Sequence, residues 1–293
     1  MADRNKRLDS NAPGNFYVDA TCINCDTCRQ LAPLSFEEVG DYSAVSRQPD
    51  GHEHVHQAYQ ALLACPVGSI GTEHSDKAQL QTAMASFPLH LEHGVSYCGF
   101  NSEKSFGANS FFIEHPDGNW LIDSPRYIKH LVQVFEQRGG IAHIFLTHKD
   151  DVADADKYAA HFGAQRIIHR ADADVAPDAE RVIEGEETVG VGSEFQIIPV
   201  PGHTAGCMAL LYRERFLFTG DHLWWDSHTK SLEAPTRLIW RKWILIDSLH
   251  KLLDYPFEWV LAGHGDRVQL PSAKMHAHLS ALVERRRKGS SPH

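Results

Sequence analysis

From about residue 90 onward, short apolar runs alternate with amphipathic stretches. "SFFIEH" and "NWLIDS" flank Pro116-Asp117-Gly118, which predicts a hairpin. "YIKHLVQVFEQ" sets Ile128, Leu131, Val132 and Phe135 on one helical stripe, and Gly139-Gly140 stops it. "IAHIFLTH" then reads as a strand, "DADKYAAHF" as a helix and "AQRIIHR" as a strand. "EFQIIPVPGHTAG" opens a further strand, and "MALLYRERFLFTGD" holds two more. "WILIDSLHKLLDY" predicts a helix, "FEWVLAGHGD" a strand, and the tail a last helix. The first part of the chain has a different grain. There "FEEVGDYSAVS" predicts a short hairpin and "HVHQAYQALLAC" a helix ending at Cys65.

At 293 residues, the chain is long for one small domain. The shift in pattern predicts two: residues 1–78, a linker over 79–89 and residues 90–293. With 42% hydrophobic and 23% charged residues, the composition is that of a globular protein. The opening "MADRNKRLDSNAPGN" has no apolar core of a signal peptide, and no run is long enough for a membrane helix. Both point to a cytoplasmic protein without a membrane partner. A formal charge of −10 argues against a nucleic-acid surface. The one basic cluster, at 285–288, closes the last helix, where it complements the helix dipole.

Six cysteines are present, unevenly placed. Cys22, Cys25 and Cys28 form C-x-x-C-x-x-C, and Cys65 stands directly before Pro66. Thiolates so spaced can converge on zinc or on an iron–sulfur cluster. Zinc sites usually pair two separated C-x-x-C knuckles, whereas three equally spaced cysteines with a remote Cys-Pro match ferredoxin ligation. "CINCDTC" with "CPVGSI" resembles a bacterial-type ferredoxin carrying one [4Fe–4S] cluster. The resemblance implies Cys22, Cys25, Cys28 and Cys65 as the cluster ligands. "CRQLAPLS" after Cys28 lacks the further Cys-Pro of two-cluster members. Cys98 and Cys207 lie outside the set and read as inert, buried thiols.

Four apolar runs in the second region each end on a metal-capable residue: His148 after "IFLT", His203 after "IIPVPG", Asp221 after "FLFTG" and His264 after "WVLAG". Glycines beside them let the backbone turn tightly. Asp123 in "LIDS", then "LTH", "PGHTAG", "FTGD" and "AGHG" resemble, over about residues 90–270, the metallo-β-lactamase superfamily, at its glyoxalase II and flavodiiron end. That resemblance implies an α+β protein: an αβ/βα sandwich with a metal site at one edge, preceded by the small ferredoxin-like domain.

The first motif departs from the family pattern T-H-x-[His or Glu]-x-Asp-His. Aligned on Thr147-His148, the second ligand position holds Asp150, while Val152 and Ala153 replace the usual Asp and His. His148, Asp150, His203 and Asp221 then suffice for one metal. Only Asp221 and His264 are left for a second, so a mononuclear Fe or Zn centre is expected. Asp150 and Asp221 are the candidate catalytic carboxylates. A second metal would need Asp151 or Asp154 to swing in, whereas each reads rather as an acid starting the helix "DADKYAAHF".

Three functions fit. A metal-bound hydroxide would make the protein a hydrolase of thioesters or esters, with a structural or sensing cluster. A fused one-electron carrier points instead to a redox enzyme in which the cluster exchanges electrons with the atypical metal site. A non-enzymatic electron-transfer protein on a decayed hydrolase fold is the third. The substrate would be a small molecule. No flavin or dinucleotide fingerprint is present, so electrons would come from a redox protein partner, with a basic face toward the mildly acidic ferredoxin segment. The Trp-rich stretch 224–243 is a candidate roof for the pocket, though core packing explains its tryptophans as well.

Overall fold

The computed structural model describes residues 2–289. It divides into two compact units, Met1–Ile141 and Ala142–His293.

In the first unit, strand Phe16–Val18 pairs antiparallel with Ile70–Thr72. The hairpin Phe36–Val39 with Tyr42–Val45 forms as the alternation predicts. Helix Gly51–Ala64 buries Ala58, Tyr59, Ala61 and Ala64 and hands the chain to Cys65. Much of the stretch expected as a linker over 79–89 is helical. Asp76 caps helix Lys77–Ala85, its Oδ1 accepting from the amides of Ala78 and Gln79 at 2.9 and 3.1 Å. Good helix formers follow that cap, and beyond the helix Phe87 is buried. Charge and small residues in "SDKAQLQTAMAS" gave the segment a linker's composition, but the cap and one buried face decide its structure. The unit continues through four antiparallel strands, Leu89–Glu92, Val95–Tyr97, Phe111–Ile113 and Trp120–Ile122. Helix Lys129–Gln137 follows, burying Leu131, Val132 and Phe135; Ile128 is its half-buried N-cap. The Phe135 ring stacks on Phe112 at 4.6 Å.

The second unit opens with three parallel strands, His143–Phe145, Gln165–His169 and Arg181–Ile183. A six-stranded sheet follows in the order Val189–Val191, Phe195–Pro199, Met208–Tyr212, Phe216–Gly220, Trp259–Ala262, Val268–Gln269. Met208–Tyr212 and Phe216–Gly220 are buried at every position. Their near-continuous apolar runs reflect burial on both faces. Phe216–Gly220 and Trp259–Ala262 run parallel. The long crossover between them carries helix Lys242–Lys251. Leu211, Leu217, Val260, Leu245, Met275 and Leu279 meet in one core, the last two from helix Ser272–Lys288.

The Trp-rich stretch divides in two. Trp224–Asp226 and Ser231–Glu233 form a hairpin whose Leu232 enters that core. Leu238, Trp240 and Trp243 are exposed. The basic end of the last helix holds this hairpin: Arg285 pairs with Glu233 at 2.7 Å, and Arg286 reaches the Ala234 carbonyl. Among the described residues, no helix is long and apolar enough to cross a membrane.

Candidate metal centres

Cys22, Cys25, Cys28 and Cys65 line a single cavity with Val18, Ile23, Val67 and Ile70. The C-x-x-C-x-x-C loop wraps because Asn24 and Asp26 take the left-handed conformation, at φ 55° and 65°. Short polar side chains tolerate that region best. Helix Thr27–Leu31 then starts, placing Cys28 inside its first turn. Donors face the sulfurs. The amides of Asn24 and Ser43 each donate to Cys22 Sγ at 3.4 Å. The hydroxyls of Thr27 and Ser69 lie 3.4 Å from Cys25 Sγ and Cys65 Sγ. Burial pushes the Cys25 thiol up to about 12, and Cys28 higher still. Four free thiols around one cavity, two of them costly to ionise alone and three met by hydrogen-bonding groups, fit a cluster that neutralises them together.

The second centre is assembled from strand ends of the second unit. Strand His143–Phe145 delivers Thr147 and His148, the latter fully buried. Thr147 Oγ1 lies 3.0 Å from His148 Nδ1, which orients the ring with Nε2 toward the site. A Cβ at Gly220 would come within 2.4 Å of Thr147 Oγ1, so only glycine lets the strand bearing Asp221 approach. His148 Nε2 stands 3.8 Å from Asp221 Oδ2 and 3.8 Å from Asp150 Oδ2. His203 Nε2 is 3.9 Å from Asp221 Oδ2 and 3.4 Å from Asp150 Oδ2. His264 Nε2 is 3.9 Å from the same Asp221 oxygen.

The spacings of 3.8 and 3.9 Å to Asp221 are too long for hydrogen bonds but suit donors gathered around an ion, since two donors about 2.1 Å from a tetrahedral metal lie about 3.4 Å apart. His148 Nε2, both nitrogens of His203 and Asp221 Oδ1 are buried and have no hydrogen-bond partner. Buried polar atoms in that state call for an ion or water. Burial also holds the His148 imidazole below its ordinary pKa, against the raising pull of Asp221 and Asp150. Neutral imidazole is the ligand form.

Donor atoms fall into two groups, each within 4.8 Å: His148, His203 and Asp221; and Asp151, Asp221 and His264. Asp151 is the correction to the sequence reading, which made it a helix starter. It is 1% exposed, its Oδ2 lies 3.8 Å from His148 Nδ1, and a Cβ at Gly263 would meet both its carboxylate and that of Asp221. The cause is local. Residues Lys149–Asp151 form a 3-10 turn, in which positions i and i+3 eclipse, so Asp151 folds back beneath His148. Ala153, where the family pattern has histidine, adopts φ 38°. Asp154 does occupy the N-cap of helix Ala155–Phe162, but makes no side-chain cap bond there and pairs with Lys157 at 3.0 Å. Asp150 has a side chain 56% exposed, on the solvent side of His148 and His203 and outside both groups. Asp123 is buried at φ 54° in the first unit.

Two further residues escaped the sequence reading. Buried Asp172 accepts from the Lys149 amide at 3.2 Å, the Gly206 amide at 3.1 Å and the Thr204 hydroxyl, tying the loop after His148 to the loop after His203. His222, next to Asp221, is fully buried with neither ring nitrogen hydrogen-bonded, and burial drives its pKa down to about 3. A histidine directly after the shared aspartate, in "TGDH", was the available signal.

Imidazoles and carboxylates converging at strand ends form a candidate metal site in an α+β protein that also carries four cysteines around one cavity. Residues 88–280 match the family described as the metallo-beta-lactamase superfamily, and the chain belongs to it. Residues 18–72 match the 4Fe-4S single cluster domain of Ferredoxin I. The protein thus carries a [4Fe–4S] domain and a divalent-metal fold. A hydroxyacylglutathione hydrolase of Cereibacter sphaeroides is 32% identical over 165 residues, 53% of this chain. The match spans 62% of that hydrolase. A beta-lactamase-like protein 2 homolog of Drosophila melanogaster is 26% identical over 199 residues, covering 61% of this chain and 65% of its own. Among solved structures, the BLEG-1 B3 metallo-beta-lactamase superposes with a TM-score of 0.51 at 19% identity, over 64% of this chain and 99% of its own, which supports the fold.

Proposed function

We propose that the protein is an oxidoreductase acting on a small molecule, in which the [4Fe–4S] domain exchanges single electrons with a carboxylate-rich iron site of the metallo-β-lactamase domain. The donor set carries this reading. His148, His203 and Asp221 would hold one ion, and Asp151, Asp221 and His264 a second, with Asp221 common to both. Each carboxylate in place of imidazole hardens the site and suits iron as well as zinc. A redox-active ion there would supply one-electron chemistry. The chain's own residues do the rest. His148, held neutral by burial, presents its ring nitrogen beside His203. Asp150, open to solvent beside both, is placed to take a proton from a substrate or water arriving on that side. We place the protein in a reducing compartment, receiving electrons from a protein partner.

Metal analysis of protein prepared without oxygen tests this. Iron beyond the cluster's about four per chain, lost in His203→Ala with the cluster intact, is the expected result. Zinc in that position, or an empty site, would overturn it.

A second reading rests on the 32% identity to a hydroxyacylglutathione hydrolase. In it the same donors hold zinc and the reaction is thioester hydrolysis. Turnover of a hydroxyacylglutathione thioester by zinc-loaded protein, unaffected by the cluster's oxidation state, would establish it in place of the first.

A further inference from the structure

The cluster cysteines do not rely on the ferredoxin segment alone. Within the first unit, residues 99–126, which belong to the metallo-β-lactamase match, close over them. Asn101 donates through Nδ2 to Thr27 Oγ1 at 3.1 Å and to the Gly107 carbonyl at 2.7 Å. Gly107 lies against the ligand itself: a Cβ there would stand 2.8 Å from Cys25 Cβ and 2.9 Å from its Sγ. Helix Gly51–Ala64 ends at Cys65, and its last carbonyls need donors. The Asn101 amide donates to Ala64 O at 3.1 Å, and Arg126 donates through Nη2 to Leu63 O at 2.8 Å. The Arg126 backbone is fixed in turn by its amide's bond to Phe100 O at 2.9 Å.

From this geometry we propose that Arg126 sets the reduction potential of the [4Fe–4S] cluster. Its guanidinium is anchored on the helix turn that ends at Cys65. The helix places its negative end at Cys65, which by itself disfavours an added electron there. A fixed cation at the same place offsets the dipole and favours the reduced cluster, which carries one more negative charge; in a poorly solvated setting the effect is large. Burial lowers the Arg126 pKa while the Cys65 sulfur pushes it up, consistent with a charge held close to that ligand. The step is the gain of one electron by the oxidised cluster, from dithionite or an electrode, with no bond made or broken. The proposal holds whether the second centre is redox-active or hydrolytic.

The test is a potentiometric titration of the full-length, cluster-loaded protein, followed by the spectrum of the reduced cluster. Arg126→Gln keeps a donor for Leu63 O and removes the charge. It should lower the reduced-to-oxidised ratio at fixed potential at least tenfold, a shift of about 59 mV for a one-electron couple. Arg126→Lys, keeping the charge, should recover most of that shift. An unchanged potential in Arg126→Gln with an intact cluster would overturn the proposal. If Arg126→Gln binds no cluster, Arg126→Lys decides. A ratio within tenfold of the parent supports the assignment, and a larger fall overturns it. Loss of the cluster in both variants would make Arg126 a structural clamp and would overturn it too.

Discussion

Cys22, Cys25 and Cys28 sit on one loop and the first turn of the helix it leads into, and Cys65 at the end of another helix. His148, His203, Asp221 and His264 come instead from four strand ends spread across the second unit. In the first centre the ligand pattern is local, because C-x-x-C-x-x-C can wrap only one small object. In the second, sheet topology does the gathering, and each donor alone would be an ordinary loop residue. The first cavity is lined by four cysteines, all needed for a four-thiolate cage, whereas the histidine–aspartate donors fall into two groups that share Asp221.

The sharpest test of that contrast removes one ligand from each. Cys65→Ser should abolish the broad absorbance near about 400 nm outright while leaving the second centre's metal in place. Asp221→Ala should empty both donor groups at once, since it is common to them, with the cluster untouched. Metal analysis with absorbance reads both, and retention of metal by Asp221→Ala would break the two-group description.

A smaller effect is expected at Asp151. Asp151→Asn should weaken one metal position about 10- to 100-fold and spare the His148–His203 position. A titration of metal per chain would show one ion lost and one kept. If both stay, Asp151 is no ligand.

The thiols give a pH signature. In the metal-free chain, burial raises Cys25 from 9.0 to about 12. A folded-state pKa raised in this way adds stability fully present below the unfolded value. That stability is lost as pH climbs from about 9 toward 12. Thermal melts of metal-free protein should fall across that window, and cluster-loaded protein should not follow. Smallest of all, Lys157→Ala should cost about 0.2–0.5 kcal/mol, the worth of its half-exposed i,i+3 pair with Asp154. A loss above about 1 kcal/mol in denaturant melts would show that the pair does more than a surface contact.

The same contrast explains how much the sequence disclosed. Periodicity located the helix Gly51–Ala64, the buried strands at 208–220 and the stripe Leu131, Val132, Phe135, because each follows from burial on a known face. Asp151 was misread because motif alignment counts residues as if the backbone were uniform, and a 3-10 turn rotates this one beneath His148. Asp172 and Arg126 act through backbone groups distant in sequence, which no local pattern encodes. The helix Lys77–Ala85, overlapping the stretch expected to connect the two domains, is not legible from composition and follows from the Asp76 cap.

Gly107 and Arg126 also bear on how the protein is made. Translation delivers all four cysteines to solvent before the residues that cover them, with Arg126 trailing Cys65 by about 60 positions. At about 5–20 residues per second, that leaves an interval of roughly 3 to 12 s in which the cysteine loop is out and its cover is still being synthesised. Iron and sulfide have their widest access then. A cell that supplies them late meets a folded unit, with Gly107 against Cys25, Cys28 and Cys65 buried and two helix-end carbonyls already tied down. Cluster occupancy should then track the supply of assembly machinery during synthesis more than any treatment afterwards.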